Sequence, residues 1–180
     1  MTRLRIIAGK FGGRWIASPD NQATHPMGDR VRSALFNMID VEGKKVLDAF
    51  AGTGAIGLEA LSRGASFVTF LERDPAAAKT IVDNITTLNV QEQTKLIKTG
   101  VGGWTKTAND DYYDIIFADP PYHNPQFSTV FKLLDYLQTN GLMILSYVSR
   151  ETAPNPNGVV VVDKRSYGEA SLVIYRKVDD

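Results

Sequence analysis

The stretch that decides the fold runs Val46-Leu47-Asp48-Ala49-Phe50-Ala51-Gly52-Thr53-Gly54-Ala55-Ile56-Gly57-Leu58-Glu59-Ala60-Leu61. Its apolar start predicts a buried strand over 45–50, and the apolar residues after the glycines predict a helix. Gly52 and Gly54 permit backbone dihedrals that other residues avoid and a close approach to a ligand. Because the turn opens a helix, free backbone N–H groups should point at whatever lies over it. This order predicts an open α/β sheet with a ligand crevice at the carboxyl ends of its strands.

The spacing Gly52-x-Gly54-x-x-Gly57 also fits the dinucleotide fingerprint, although a turn that needs glycine only for packing gives the same pattern. Asp48, near the end of the strand, favours another kind of ligand. A pyrophosphate would be repelled by this carboxylate, whereas the sulfonium and amino groups of S-adenosylmethionine would be attracted to it. Glu72 lies 18 residues after Gly54, at the end of the next predicted strand. A carboxylate there can bind both ribose hydroxyls, in a nicotinamide site as well as in an S-adenosylmethionine site.

A second motif, Asp119-Pro120-Pro121-Tyr122, follows the predicted buried strand over 114–118. Two prolines remove two backbone donors and stiffen the turn. Carbonyl oxygens and the Asp119 carboxylate are left as acceptors, with Tyr122 as a flat surface beside them. This combination predicts a pocket for a planar group that carries an exocyclic NH₂, although a rigid strand exit would also contain such prolines.

Composition narrows the class of protein. The chain has 180 residues, 43% of them hydrophobic, which suits one domain with a sizeable core. It has no cysteine, which excludes disulfides, thiolate metal sites and cysteine nucleophiles. The two histidines, His25 and His123, are far apart, so we expect no metal site. No apolar run approaches the roughly 18 residues of a membrane span, and the N-terminus lacks a signal-peptide core, so we expect a cytoplasmic protein.

The N-terminal region is basic although the net charge is zero. Residues 1–32 hold six basic and two acidic residues, a net charge of +4, which leaves −4 on the remainder. The basic residues are Arg3, Arg5, Lys10, Arg14, Arg30 and Arg32. With Phe11 and Trp15 among them they predict a nucleic-acid surface, although a solvated surface and a Trp15 that covers the core remain open. Arg30 and Arg32 fall in the first turn of a predicted helix, where the helix dipole disfavours cations, which suggests that they serve another purpose.

Alternating apolar patterns predict the remaining elements. Strands are predicted over 3–8, 14–17, 66–72, 94–98, 114–118, 141–146, 159–162 and 171–175. Helices are predicted over 29–39, 75–88 and 127–137, with Asp29 as the cap of the first. We expect a basic hairpin or arm over 1–28 and a single globular unit over 29–180.

Five segments together resemble one family. They are Arg5–Gly9, Arg30–Asn37, Asp48–Gly54, Glu59–Ala65 and Asp119–Tyr122. The chain resembles class I S-adenosylmethionine-dependent methyltransferases and, more narrowly, the bacterial 16S ribosomal RNA guanine-N2 methyltransferase family. The resemblance implies an α/β, Rossmann-like sheet of seven mostly parallel strands with helices on both faces, plus a small N-terminal β-hairpin extension.

The resemblance also implies roles for individual residues. Cofactor-binding residues are expected to be Asp48, Phe50, Gly52, Thr53, Gly54, Glu72, Arg73 and Asp119. Catalytic residues that receive the target base are expected to be Asp119, Pro120, Pro121 and Tyr122. The expected cofactor is S-adenosyl-L-methionine, and the expected partner is 16S ribosomal RNA or a small-subunit assembly particle. The protein is expected to act as a monomer that binds neither a metal ion nor a membrane. The six basic residues given above are expected to bind the RNA.

The chain departs from the family pattern in three places, and three other functions stay open. The departures are the segment Thr24-His25-Pro26-Met27, Ser33 after the second arginine of the helix, and Gly100 after the third strand. An adenine-N6 or cytosine-N4 methyltransferase acting on DNA or another RNA would use the same kind of pocket, although the length of the chain argues against a separate DNA-recognition domain. A nicotinamide-dependent oxidoreductase is disfavoured by Asp48 and the Pro-Pro turn. A non-catalytic RNA-binding assembly factor is disfavoured by the intact Asp119–Tyr122 motif.

Overall fold

A computed structural model of the chain describes residues 2–19, 27–108 and 110–179. At its centre, strand β3 (Lys45–Asp48) leads through the glycine turn into helix α2 (Ala55–Ser62). Strands β4 (Phe67–Leu71) and β6 (Tyr113–Ala118) flank β3 and run parallel to it. Strands buried on both faces are continuously apolar rather than alternating, which explains the pattern of the central segment.

The other elements follow the predicted order. A hairpin is formed by β1 (Thr2–Arg5) and β2 (Trp15–Ser18). The further α-helices are α1 (Asp29–Met38), α3 (Pro75–Leu88), α4 (Val101–Trp104) and α5 (Phe127–Val130). Two 3₁₀ helices span Gln91–Gln93 and Phe131–Tyr136. The remaining strands are β5 (Thr94–Ile97), β7 (Leu137–Val148), β8 (Val159–Tyr167) and β9 (Ala170–Lys177).

One seven-stranded sheet has the order β5-β4-β3-β6-β7-β9-β8. Strands β3 to β7 are parallel, whereas β9 runs antiparallel to both of its neighbours, β7 and β8. The predicted fold class is therefore confirmed, including the separate two-stranded hairpin at the N-terminus. The strands β5, β4, β3, β6 and β7 all end at the same edge of the sheet, and the glycine turn follows β3, the middle strand of these five.

Apolar side chains form a core on each face of the sheet. One core joins the strands to α1, α2, α3 and the hairpin, whose Ile6 and Ile16 are buried. The other joins the opposite face to α4, α5 and the 3₁₀ helix after α5. The hairpin thus shares the core of the main sheet, and the division into an arm over 1–28 and a unit over 29–180 stays a prediction.

Some boundaries differ from those predicted. The first strand ends at Arg5. The Ile6 amide still donates to Arg14 across the hairpin, but the amides of Ile7 and Ala8 donate to the Glu59 carboxylate instead of to a strand. The segment over 127–137 is α-helical only for its first turn and continues as a 3₁₀ helix. Helix α1 begins at Asp29 itself, so Asp29 does not act as its cap.

Two further findings concern only the part of the chain that the structure describes. None of its helices is long and apolar enough to cross a membrane. No group of three or more histidine, aspartate or glutamate side chains within 2–19, 27–108 and 110–179 is arranged to hold a metal ion. His25, and with it the departure at Thr24–Pro26, lies outside the described residues.

Candidate active site and nucleic-acid surface

The glycine turn has the backbone conformation that its composition predicts. Gly52 and Gly54 have φ values of 55° and 80°, in the left-handed region that favours glycine. Gly54 is the cap residue of α2, and its carbonyl accepts from Leu58 N–H in the first turn. A Cβ at Gly57 would lie 2.3 Å from Cε1 of Phe70, so the third glycine allows the helix to pack closely on β4.

Asp48 lies beneath the glycine turn rather than on its surface. Its side chain is buried, and its Oδ2 accepts a hydrogen bond from Gly57 N–H at 3.0 Å. One of the helix amides expected to face a ligand is therefore satisfied from inside the protein. Burial raises the pKa of Asp48 to about 7, with the Gly57 bond opposing the shift and the charges of Asp119 and Glu72 adding to it.

Glu72 is fixed at the end of β4 by two backbone amides. Its Oε2 accepts from Gly52 N–H at 2.7 Å and its Oε1 accepts from Asp74 N–H at 2.8 Å. Each carboxylate oxygen can accept a second hydrogen bond, and the side chain is partly exposed, so Glu72 can still bind hydroxyl groups of a ligand.

Three carboxylates thus gather at the ends of three adjacent strands. Asp48 is the last residue of β3, and Glu72 and Asp119 directly follow β4 and β6. Glu72 and Asp119 are near enough to raise the pKa of Asp48. Such a cluster attracts a cationic ligand and repels a pyrophosphate. The arrangement therefore suits S-adenosylmethionine better than a nicotinamide dinucleotide.

The other predicted cofactor residues differ in accessibility. Phe50 is partly buried and packs against the core on the α4 side. Thr53 is buried, with Oγ1 accepting from Ala55 N–H, so its side chain stabilises the turn and does not reach the surface. Arg73 is exposed, and its side chain lies over Gly100, where the chain departs from the family pattern.

The turn after β6 places an acid and an aromatic ring at the same edge of the sheet. Asp119 is partly buried, Pro120 is buried and Pro121 is exposed. Desolvation raises the pKa of Asp119 to about 6, and the nearby Ser146 side chain partly offsets the shift. Tyr122 is 40% exposed, which leaves ring surface free for stacking.

Ser146 is a site residue that sequence reasoning did not identify. It is buried at the end of β7, and its Oγ lies 2.6 Å from the Tyr122 hydroxyl. Ser146 and Asp119 are the polar members of a small pocket under α1. The apolar side chains around them include Met27, Leu35, Ile56, Phe117, Ile144 and Leu172. A lone serine within an apolar strand carries no local signal, because its neighbours depend on the pairing of β6 with β7.

The outer face of the hairpin carries exposed cations around an aromatic ring. The strand register pairs Arg5 with Trp15 and Arg3 with Ala17. Since side chains alternate along a strand, these four share one face, while the buried Ile16 lies on the other. Trp15 is 55% exposed, which rules out the alternative hypothesis that its side chain covers the core.

Three more predicted RNA-binding residues are exposed. They are Lys10, Arg14 and Arg30. The Lys10 ammonium and the Arg14 guanidinium lie 5.5 and 5.7 Å from the centre of the Phe11 ring, which is itself buried. Arg14 also donates to the carbonyl oxygen of Thr87 in α3. Phe11 therefore supports two surface cations and offers little ring surface to a base.

The assignment of Arg32 to the RNA surface is corrected by its burial. The side chain is only 1% exposed, and its guanidinium donates to the carbonyl oxygens of Met27 and Arg5 and to the Asp29 carboxylate. Its Nε lies 3.9 Å from Glu59 Oε2. Arg32 is thus a structural cation that joins α1 to the hairpin and to α2, which explains its place in the first turn of a helix.

Glu59 is a buried carboxylate beside Arg32, and its structural role was not predicted from the sequence. It accepts from the amides of Ile7 and Ala8 at 2.8 and 3.1 Å, and from Arg63 Nε at 2.7 Å. Asn84 of α3 makes a second connection, since its side chain bonds both backbone groups of Ala17 and donates to the Thr53 carbonyl oxygen. The hairpin is thereby attached to α2 and to the glycine turn.

Comparisons with known proteins show one family and several relatives to which the chain is similar. The family described as conserved hypothetical protein 95 matches residues 4–176. Ribosomal RNA small subunit methyltransferase D of Haemophilus influenzae is 33% identical, over 96% of this chain and 93% of the relative. The enzyme of the same name from Buchnera aphidicola subsp. Acyrthosiphon pisum is 28% identical, over 97% of this chain and 93% of its own. The solved structure of yhhF from Escherichia coli has a TM-score of 0.89 and 28% identity, and covers 99% of this chain and 100% of its own.

Proposed function

The chain belongs to the conserved hypothetical protein 95 family, and we propose that it transfers a methyl group to the exocyclic N2 of a guanine in 16S ribosomal RNA. The general activity, S-adenosylmethionine-dependent methylation of ribosomal RNA, agrees with the names of the relatives and does not depend on which base is modified. The guanine and its N2 atom are the further step that we propose.

The observation that carries the proposal is that Asp119 and Tyr122 lie in one turn, which follows the strand next to β3 and its glycine turn. An acceptor-rich corner beside a half-exposed ring suits a flat base that presents an amino group. Because Asp119 carries a pKa of about 6, it is mainly a carboxylate at neutral pH and can accept a hydrogen bond from that amino group.

The described residues also fit the cofactor. S-Adenosylmethionine supplies an electrophilic methyl group on a sulfonium ion when it is bound. Glu72 offers free acceptor positions for its ribose, Gly52 allows a close backbone approach, and Asp48 and Asp119 provide negative charge near the cation.

The chain contributes to the reaction mainly by position and electrostatics. The lone pair of a guanine N2 is delocalised into the ring, which makes this nitrogen a weak nucleophile. Hydrogen bonds from its two N–H groups to the Asp119 carboxylate and the Pro120 carbonyl oxygen would favour a pyramidal nitrogen with an available lone pair. Tyr122 would stack on the base, and Asp119 or water would accept the proton that the methylated nitrogen releases.

A base within folded RNA has to leave its stack, which costs a few kcal/mol. The hairpin surface formed by Arg3, Arg5 and Trp15 would offset this cost by binding phosphates and stacking on an unpaired base. Lys10, Arg14 and Arg30 add charge around this surface.

The proposal is tested by transfer of labelled methyl groups from S-adenosylmethionine to small-subunit particles that lack the modification, followed by nucleoside analysis. We expect N2-methylguanosine with the unchanged protein and its loss with Asp119→Ala. The matched control is Asp135→Ala, which removes an exposed aspartate in the 3₁₀ helix on the other face of the sheet and should leave the product unchanged.

Other methylated nucleosides would indicate other functions. N6-methyladenosine or N4-methylcytosine would support the proposed base pocket but overturn the assignment of guanine as the substrate. Absence of transfer to any nucleic acid, in a protein that still binds S-adenosylmethionine, would favour a non-catalytic assembly factor.

A further inference from the structure

Ser146 and Asp119 lie at the same level of two neighbouring parallel strands, Ser146 within β7 and Asp119 directly after β6. The register of β6 and β7 pairs Ala118 with Leu145, so the next residues along each strand are Asp119 and Ser146. Ser146 is only 2% exposed, and its side chain lies in the pocket with Asp119. Its hydroxyl is therefore directed at the proposed reaction site rather than at solvent.

The Ser146 hydroxyl lies 2.6 Å from the Tyr122 hydroxyl. It also lines the same small pocket as the Asp119 carboxylate, close enough to lower the pKa of Asp119. An ionised carboxylate only accepts, so in the arrangement that we infer Ser146 donates its single proton to Asp119. Its lone pairs then accept from Tyr122, whose own pKa is raised by burial so that the phenol keeps its proton.

We propose that Ser146 is a positioning residue that holds the Asp119 carboxylate and the Tyr122 ring in the orientation that the target base requires. The inference rests on the proposed methyl-transfer function and adds to it a residue outside the Asp119–Tyr122 motif. The described side chains around the pocket are otherwise apolar, so none of them offers Asp119 a replacement donor. Each of the two partners is thus fixed through a single serine.

The positioning role of Ser146 can be measured through the pKa of Asp119. Burial raises the pKa of Asp119, and the Ser146 bond lowers it. The other titratable groups near Asp119 are Tyr122 in the same turn and Asp48 at the end of β3, with Glu72 of β4 beyond Asp48. Removing the serine hydroxyl leaves these groups in place, so the pKa of Asp119 should rise and the carboxylate form should be lost at a higher pH.

The experiment compares Ser146→Ala and Ser146→Thr with the unchanged protein in methyl transfer across pH. For Ser146→Ala we expect kcat at neutral pH to fall about tenfold or more, which is the scale of a hydrogen bond to a charged group. The acidic limb of the profile should move to higher pH, while KM for S-adenosylmethionine, measured above that limb where Asp119 is ionised, stays within about twofold. Ser146→Thr retains a hydroxyl and should restore most of kcat.

A second measurement does not depend on activity. The Asp119 carboxyl is followed by carbon NMR titration, with Asp119→Asn to identify its signal, and its midpoint should rise in Ser146→Ala. The matched control is Ser171→Ala, which removes another buried hydroxyl, on β9, that bonds Ser149 and Ser166. It should change neither the midpoint nor kcat.

The outcomes separate this inference from the function on which it rests. An unchanged Asp119 midpoint in Ser146→Ala, or an unchanged kcat and acidic limb, would overturn the role of Ser146. If the unchanged protein forms no N2-methylguanosine, the proposed function fails, and the NMR titration still decides whether Ser146 controls Asp119. Non-additive losses in kcat for Ser146→Ala and Tyr122→Phe would support the shared network, whereas additive losses would overturn the link to Tyr122.

Discussion

Glu72 accepts a hydrogen bond from the backbone N–H of Gly52, with 2.7 Å between Oε2 and the nitrogen. This contact joins the end of β4 to the turn that follows β3. The opposite oxygen of the carboxylate is held by Asp74 N–H. A residue expected only to bind ribose therefore also determines the shape of the glycine turn.

Glu72→Gln should weaken both functions. A glutamine amide presents N–H groups on one side, so one of the two backbone donors would face another donor. We expect affinity for S-adenosylmethionine to fall about tenfold or more and stability to fall by about 1–2 kcal/mol. Calorimetric titration and urea unfolding measure these two effects. Glu92→Gln, which changes an exposed glutamate, should alter neither, and wild-type affinity in Glu72→Gln would argue against this role.

Asp48 predicts a pH dependence of stability that is opposite to the usual one for an acid. Its pKa is about 7 in the folded protein and 3.8 as a model value, so the folded state holds a proton that the unfolded state releases. Stability from this site is therefore present at low pH and is lost as the pH rises from about 4 to about 7. The loss is on the order of 4 kcal/mol at about 1.4 kcal/mol per pH unit.

Asp48→Asn should remove this loss while its amide oxygen still accepts from Gly57 N–H. We expect urea unfolding to give a variant that is more stable than wild type at pH 8 by a few kcal/mol, with a smaller difference at pH 5. Asp135→Asn, at an exposed site, should show no such trend. A difference of equal size at both pH values would exclude Asp48 as its source.

Local sequence was sufficient to predict the centre of the fold. The glycine turn, the strands beside it and the carboxylates that follow them depend on patterns within a few residues, as at Gly52, Gly54 and Asp48. The alternation of apolar strands and helices then leads to a doubly wound sheet, because few other arrangements bury such elements.

Residues whose roles depend on distant partners were not predictable in this way. Arg32 was assigned to RNA because a cation in a first helical turn is unfavourable. Its guanidinium instead donates to the Arg5 carbonyl oxygen in the hairpin, and its Nε lies 3.9 Å from Glu59, 27 positions away and equally buried. Ser146 acquires its neighbours only through the pairing of β6 with β7. The region after Phe127 was predicted as one α-helix, since the pattern of apolar residues does not distinguish an α-helix from a 3₁₀ helix over so few turns.

Glu59→Gln tests whether the hairpin is held by a buried charge. The variant keeps the size of the side chain but removes the negative charge beside Arg32 and Arg63. Arg32 would then rely on Asp29, whose side chain is half exposed. Breaking a buried ion pair from one side is costly, so we expect a loss of about 3 kcal/mol in urea unfolding. Glu42→Gln, at an exposed position, should lose less than about 0.5 kcal/mol, and a similar small loss in Glu59→Gln would contradict the proposed connection.

Arg3 and Arg5 predict a salt dependence of RNA binding. If both contact phosphates, Arg3→Ala with Arg5→Ala should reduce the slope of log affinity against log salt concentration by about 1.4, at about 0.7 per contact on single strands. Binding of a small-subunit RNA fragment at several salt concentrations measures the slope. Lys132→Ala, on the 3₁₀ helix that covers the opposite face of the sheet, is the matched control and should leave the slope unchanged. An unchanged slope in the double variant would remove these arginines from the RNA surface.

Trp15 should affect the same binding in a different way, because stacking is uncharged. Trp15→Ala should cost about 1–3 kcal/mol of binding free energy at every salt concentration while the slope stays as in wild type. Trp15→Phe keeps a ring and should recover part of the affinity. Trp15 is more than half exposed, and its pairing with Arg5 is that of neighbouring strand residues. Either change should therefore leave the hairpin folded. If Trp15→Ala binds RNA as tightly as wild type, the hairpin contributes charge alone, and the unpaired base must be held by Tyr122.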